Sequence, residues 1–189
     1  KHVIDNGQLG KVTSIIARRV GLPPANINHT NVLLDLAVHD IDIISYLLAS
    51  QPEIMHARSG SSLASSTKDR AEIFLRHGDV SSFIQVNWLT PIKIRNLAIT
   101  GTKGYAELDY LNQQLTLYVN NAPTSLMFEN FSEFLTRFAP DKIELGINKE
   151  EPLKNEIKEF LACITNDRLP KMSGEDALQA LKIALQAIN

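Results

Sequence analysis

Asp35, His39 and Asp42 are the residues whose types and spacing could do chemistry. They lie in the stretch NVLLDLAVHDIDIISYLLA, Asn31 to Ala49. At about 100° per residue, offsets of four and seven bring all three into a narrow wedge of one helical face. An imidazole titrates near neutrality and can take the proton of an alcohol, while a carboxylate one turn away can orient the ring or bind a hydroxyl. Val32, Leu33, Leu34, Leu36, Val38, Ile41, Ile43, Ile44, Leu47 and Leu48 leave the helix no wide solvent face, so it is expected to be largely buried. Asp40 points elsewhere. A single buried carboxylate would be read as a dipole or internal hydrogen-bond partner. Three titratable groups on one face imply a polar cavity, an unusual pKa, or a bound ion or substrate.

The elements before the helix must position this stripe. KVTSIIARRV is rich in β-branched residues and reads as a strand running to Gly21. Arg18 and Arg19 end it on opposite faces, so only one can face a pocket, where its planar fork suits phosphate or carboxylate. A solvated strand end would serve as well. Pro23 and Pro24 then fix an extended loop, polar through Asn26, Asn28, His29 and Thr30 to an N-cap at Asn31. Such a loop can line a site, and Asn31 joins the arginines and Asp42 as a candidate substrate-binding residue.

Beyond Glu53 the pattern changes to consecutive antiparallel strands: EIMHARSGSS, TKDRAEIFLRHG, VSSFIQVNWL and PIKIRNLAITG, with Pro91 breaking the ladder. GTKG at Gly101 to Gly104 joins strands instead of opening a helix, so it predicts a hairpin turn and no phosphate loop. YAELDY and QLTLYVN follow, with a turn at Leu111 and Asn112. Residues 123–148 are unreadable: Phe128, Phe131, Phe134 and Phe138 suit a short helix or a strand with an aromatic loop, filling core or a subunit contact. A helix is expected from Pro152 to about Asn166, and a second capped at Ser173. The second one's Leu178, Leu181, Ile183, Ala184, Leu185 and Ile188 need a surface that another domain could supply. HVIDNGQLG reads as a last helical turn ending at Gly7, so residues 1–10 are expected to be the tail of a helix that begins upstream.

The 189 residues suffice for one domain. A formal charge of −2 with no block of five like charges argues against nucleic acid or an anionic membrane as partner. One cysteine, Cys163, excludes an intrachain disulfide framework and fits a reducing, cytoplasmic setting. His39, Asp40 and Asp42 interrupt the best candidate for a membrane span, and the first ten residues lack a signal-peptide apolar region.

Taken in order, GQLGKVTSIIARRVG, LLDLAVHDIDIISYLL, NWLTPIKIRNLAITGTKGYAELDY and NEIKEFLACITNDRLPKMSGEDALQALKIA resemble the C-terminal domain of the Gfo/Idh/MocA oxidoreductases. The D-x-x-x-H-x-x-D pattern at Asp35, His39 and Asp42 is the most specific element. The resemblance implies an α+β fold, an open, mostly antiparallel sheet with helices on one face, in which residues 1–189 form a single substrate-binding and oligomerisation domain. It implies that Asp35 and His39 act at the reacting carbinol of a sugar or cyclitol, with NAD or NADP held mainly by an N-terminal Rossmann domain. It also implies that the other sheet face pairs subunits in a homo-oligomer and that the helices of 152–189 dock on the Rossmann domain. The family's Glu-Lys-Pro tripeptide and dinucleotide fingerprint are not in this sequence, and Glu150-Glu151-Pro152 is no substitute. A glycine usual two residues after the aspartate is Ala37, and glycines before the helix are replaced around Thr30 and Asn31; no reacting group is lost. ARRVG followed by DLAVHDID resembles the UDP-N-acetylglucosamine 3-dehydrogenase branch, which would give Arg18 or Arg19 a diphosphate or sugar to hold.

The expected function is therefore the substrate half of an NAD(P)-dependent dehydrogenase acting on a sugar or UDP-sugar, inactive without its nucleotide domain. In it Asp42 supports from behind or docks the missing domain. Two other classes remain open: a metal-dependent hydrolase or lyase using Asp35, His39 and Asp42 as ligands, and a non-catalytic dimerisation or sugar-binding module.

Overall fold

The computed structural model describes residues 1–25, 30–63, 67–119, 132 and 140–188. The short helix α1 (His2–Asp5) ends at Gly7, whose φ of 67° reverses the chain into β1 (Val12–Val20). A π-helical segment, Leu33–Ala37, continues into α2 (Val38–Leu48). Seven further strands follow: β2 (Glu53–Gly60), β3 (Arg70–His77), β4 (Val80–Asn87), β5 (Ile94–Gly101), β6 (Gly104–Asp109), β7 (Gln114–Val119) and β8 (Asp141–Leu145). Two helices, α3 (Pro152–Thr165) and α4 (Gly174–Gln186), close the order.

The eight strands form one open sheet in the order β2-β3-β4-β1-β5-β6-β7-β8. Every pairing is antiparallel except β1 with β4. The expected run of consecutive antiparallel neighbours therefore fails at one place: β1 sits between β4 and β5 and pairs with both. The segment around Pro91 crosses the end of β1 instead of making a hairpin, as a residue without an amide donor permits.

Alternation assigns the faces. Ile15, Ala17, Ile73, Leu75, Ile84, Val86, Leu97 and Ile99 are buried on the side covered by helices, while Ile16, Arg18, Phe74 and Arg76 are exposed on the other. Leu33, Leu36, Ala37, Ile41, Ile44 and Leu47 fill the core from the helix layer, joined by Ala180, Ile183, Ala184 and Ala187 of α4. The second terminal helix thus packs partly on this domain's own helices, with Leu178, Leu181 and Leu185 left exposed. In α3 only Cys163 is buried, and Leu153, Ile157, Phe160, Leu161 and Ile164 face solvent.

GTKG is a hairpin turn, as its position predicts. Gly101 has a steric reason: a methyl there would collide with the Leu9 carbonyl, where the N-terminal segment crosses the sheet. β8 has no signature in the sequence because four of its five residues are exposed, so backbone pairing with β7 alone defines it. The four phenylalanines of residues 123–138 lie outside the described residues.

Candidate functional site

Arg19 projects from β1 to the helix side of the sheet, where Asp40 comes down from α2. Arg19 Nε donates to Asp40 Oδ2 at 2.9 Å and Nη2 to Oδ1 at 2.7 Å, a two-pronged pair. The Asp40 side chain is 1% exposed and that of Arg19 14%. The guanidinium carbon also lies 5.6 Å from the centre of the Tyr110 ring. Burial, and then the Asp40 charge, push the Tyr110 phenol up to about 12. Of the two candidate arginines, Arg19 is the one that faces the helices, and Asp40 already holds it. Arg18 is exposed on the opposite face of the sheet.

Asp35 lies in the π-helical segment. Asn31 Oδ1 accepts from the Leu33 and Leu34 amides at 3.0 and 3.1 Å, which starts the helix at the expected cap. An extra residue per turn re-aims a side chain locally, and such bulges recur at functional sites. The Asp35 carboxylate accepts from Trp88 Nε1 at 3.2 Å. Both line a cleft of about 320 Å³, with Leu22 and Pro24 as apolar wall and Lys93 and Arg95 as cations. Arg95 is the register partner of Arg19 across β1 and β5, and its Nη1 is buried with no hydrogen-bond partner.

His39, one turn on from Asp35, has an exposed edge. Packing around the ring and, next, the charge of Arg19 hold its pKa below the ordinary value, against the opposing pull of Asp40 and Asp35. The ring is therefore a neutral imidazole at physiological pH. Asp42 lines a different cavity, with Tyr46, Lys171 and Asp176. Its carboxyl is raised by burial and by Asp176.

The stripe is real as a direction along the helix, but it is the least covered face of the helix and not a dry one. Leu34, Val38, Ile43 and Leu48 pack against the margin of the core and stay half-buried, and Tyr46 is exposed. Seven residues of helix separate Asp35 from Asp42 by about 10 Å along the axis, so both cannot touch one small group. The three do not assemble as one ligand set for a metal. Among the described residues, no three His, Cys, Asp or Glu side chains gather where they could hold an ion.

Sequence reasoning missed Trp88, Lys93 and Arg95. The available signal was period two for Trp88, which extends the buried alternation of Ile84 and Val86; Lys93 lies just outside β5, and no local pattern marks it or Arg95. It also set Asp40 aside because it left the stripe. On a helix facing a sheet, that is the direction of a buried partner.

A family model described as the GFO/IDH/MocA C-terminal domain matches residues 1–107. No curated protein matches the sequence. Among solved structures, UDP-N-acetylglucosamine 3-dehydrogenase GnnA from Acidithiobacillus ferrooxidans superposes with a TM-score of 0.78 at 21% identity, over 98% of this chain and 56% of its own. Aldose-aldose oxidoreductase from Caulobacter crescentus, complexed with glycerol, gives 0.78 at 15% identity, over 98% and 55%. An NAD-binding protein from Listeria innocua gives 0.76 at 17% identity, over 99% and 59%. The chain thus spans a little over half the length of these structures. It belongs to the GFO/IDH/MocA family of oxidoreductases and carries that family's C-terminal domain.

Proposed function

We propose that this chain is the substrate-binding part of an NAD(P)-dependent dehydrogenase acting on the carbinol of a sugar or nucleotide sugar. The observation that carries the reading is the placement of Asp35 in a cleft with His39 one turn further along the same accessible face. The names of the aldose-aldose oxidoreductase and the nucleotide-sugar dehydrogenase among the similar structures are consistent with it.

The cleft fits a polyhydroxylated substrate better than a dinucleotide. It offers a carboxylate and two cations but no glycine-rich turn at the start of a helix, the backbone arrangement that cradles a diphosphate. The nicotinamide cofactor, supplied by a Rossmann domain, would accept the hydride. His39 takes the carbinol proton, and its depressed pKa keeps it available as a base. Asp35, held by the Trp88 N–H, accepts a hydrogen bond from a substrate hydroxyl and fixes which hydroxyl meets the imidazole. Asp42 and the apolar residues around it, with the exposed side of α3, are surface for the nucleotide domain. The outer sheet face, with Ile16 and the tilted ring pair Phe74 and Phe83 at 4.8 Å, is surface for a second subunit.

The test is nicotinamide reduction by the full-length protein against a panel of hexoses, cyclitols and UDP-sugars, repeated after chelation. Turnover that survives chelation supports the reading. No reduction with any alcohol overturns the dehydrogenase, and bond cleavage without nicotinamide reduction, abolished by chelation and restored by one divalent ion, points to the metal-dependent hydrolase or lyase.

A further inference from the structure

We propose that Arg95 and Lys93 form an oxyanion subsite beside Asp35, so that the substrate carries a phosphate or carboxylate as well as its reacting hydroxyl. The reacting hydroxyl rests on the dehydrogenase reading above; the anion does not.

Unbalanced charge and an unfilled hydrogen bond both call for an anion here. Three cations and two carboxylates meet at the end of β1 and β5. Arg19 and Asp40 cancel each other through two parallel hydrogen bonds. Asp35 takes the Trp88 N–H, a neutral donor. Arg95 and Lys93 remain, and neither has an ion-pair or hydrogen-bond partner among the described residues. The cleft they line therefore holds two cations against the single carboxylate of Asp35.

Arg95 carries most of the inference. Burial and the adjacent Arg19 disfavour its charge, yet a guanidinium stays protonated. Its Nη1 is buried without an acceptor, an arrangement that costs free energy until an acceptor arrives. Lys93, exposed and just before the start of β5, lines the same cleft. Two donors lining one cleft can close on one oxyanion from two sides. A neutral sugar would satisfy Asp35 and leave Arg95 without an acceptor.

The experiment titrates the full-length protein, with its dinucleotide site saturated, with inorganic pyrophosphate, glucuronate and, as neutral control, glucose, following heat of binding. Pyrophosphate or glucuronate is expected to bind tighter than glucose by about tenfold or more, and the stronger of the two tells phosphate from carboxylate. Arg95→Gln should weaken that anion roughly ten- to a hundredfold, and Arg95→Lys should recover part of the loss. Lys93→Gln, at an exposed position, should weaken it less and reduce its salt dependence. Equal affinity in wild type and a folded Arg95→Gln, or no anion binding at all, overturns the proposal. Should Arg95→Gln fail to fold, anion affinity unchanged in Lys93→Gln overturns it just as well. Hydride transfer to neutral sugars with no anion preference would sink the subsite and leave the dehydrogenase standing. Arg95-dependent anion binding without hydride transfer to any alcohol would do the reverse.

Discussion

Arg19 and Asp40 are joined by two hydrogen bonds of 2.9 and 2.7 Å in a part of the fold where the aspartate is almost sealed from solvent. The pair ties the central strand to the helix that carries Asp35 and His39, so it sets how far those groups stand above the sheet. Removing one member strands a buried charge. Asp40→Ala is expected to destabilise the domain by about 3–5 kcal/mol, and the double variant Arg19→Met, Asp40→Leu to recover most of it. Urea denaturation midpoints of wild type, Asp40→Ala and the double variant check this, and a double variant no more stable than Asp40→Ala would contradict it.

His39 acts as a base only when neutral. Its folded pKa lies below the ordinary 6.5, so the rising limb of kcat/KM against pH should fall below that value. Arg19 contributes to the depression, and Arg19→Gln should move the limb to higher pH. A limb that stays put would separate the two residues.

In the proposed reaction Trp88 positions Asp35, which it touches through its N–H. Trp88→Phe keeps the ring and loses the donor, and should cost roughly tenfold or more in kcat/KM. If the hydrogen bond serves orientation, kcat falls while KM for the cofactor is unchanged. A loss of thermal stability with normal kinetics would make the contact merely structural.

His77 supplies a pH effect on stability. It is 5% exposed, its Nε2 has no partner, and burial lowers its pKa from 6.5 against an opposing hydrogen bond with the Ser50 carbonyl. Below about 6.5 the unfolded chain takes up a proton that the folded ring refuses, so stability falls with falling pH until the folded pKa is passed. His77→Leu should flatten that slope in denaturation profiles taken across the window. An unaltered slope would assign the acid sensitivity elsewhere.

The exposed sheet face tests the proposed assembly. Ile16 on the central β1 and Phe74 on β3, each 49% exposed, stand on it. Changing both to Glu should shift the full-length protein toward monomer in sedimentation while lowering its folding stability by no more than about 1 kcal/mol, since neither is in the core. An assembly that persists uses another surface.

What the sequence revealed follows from which physical signals are local. The alternation of Ile73 and Leu75 against Phe74, or the Ser173 cap on α4, is decided within a few residues and was legible. The placement of β1 between β4 and β5 was not, because it depends on which edges meet after a long connection. Asp35 and His39 could be singled out because helical spacing is local, whereas Asp40's partner lies 21 residues away on a strand. Lys93 and Arg95 gave no local signal, because the cleft that brings them to Asp35 forms only once the chain has folded. β8, nearly all polar, offers no apolar pattern to read.

The most direct test of the account is a single-turnover measurement of nicotinamide reduction in the full-length protein, with His39→Ala beside wild type under saturating sugar. The account predicts that the hydride-transfer rate falls by about 10²–10⁴ with the cofactor still bound. A rate equal to wild type in a folded His39→Ala protein would contradict it.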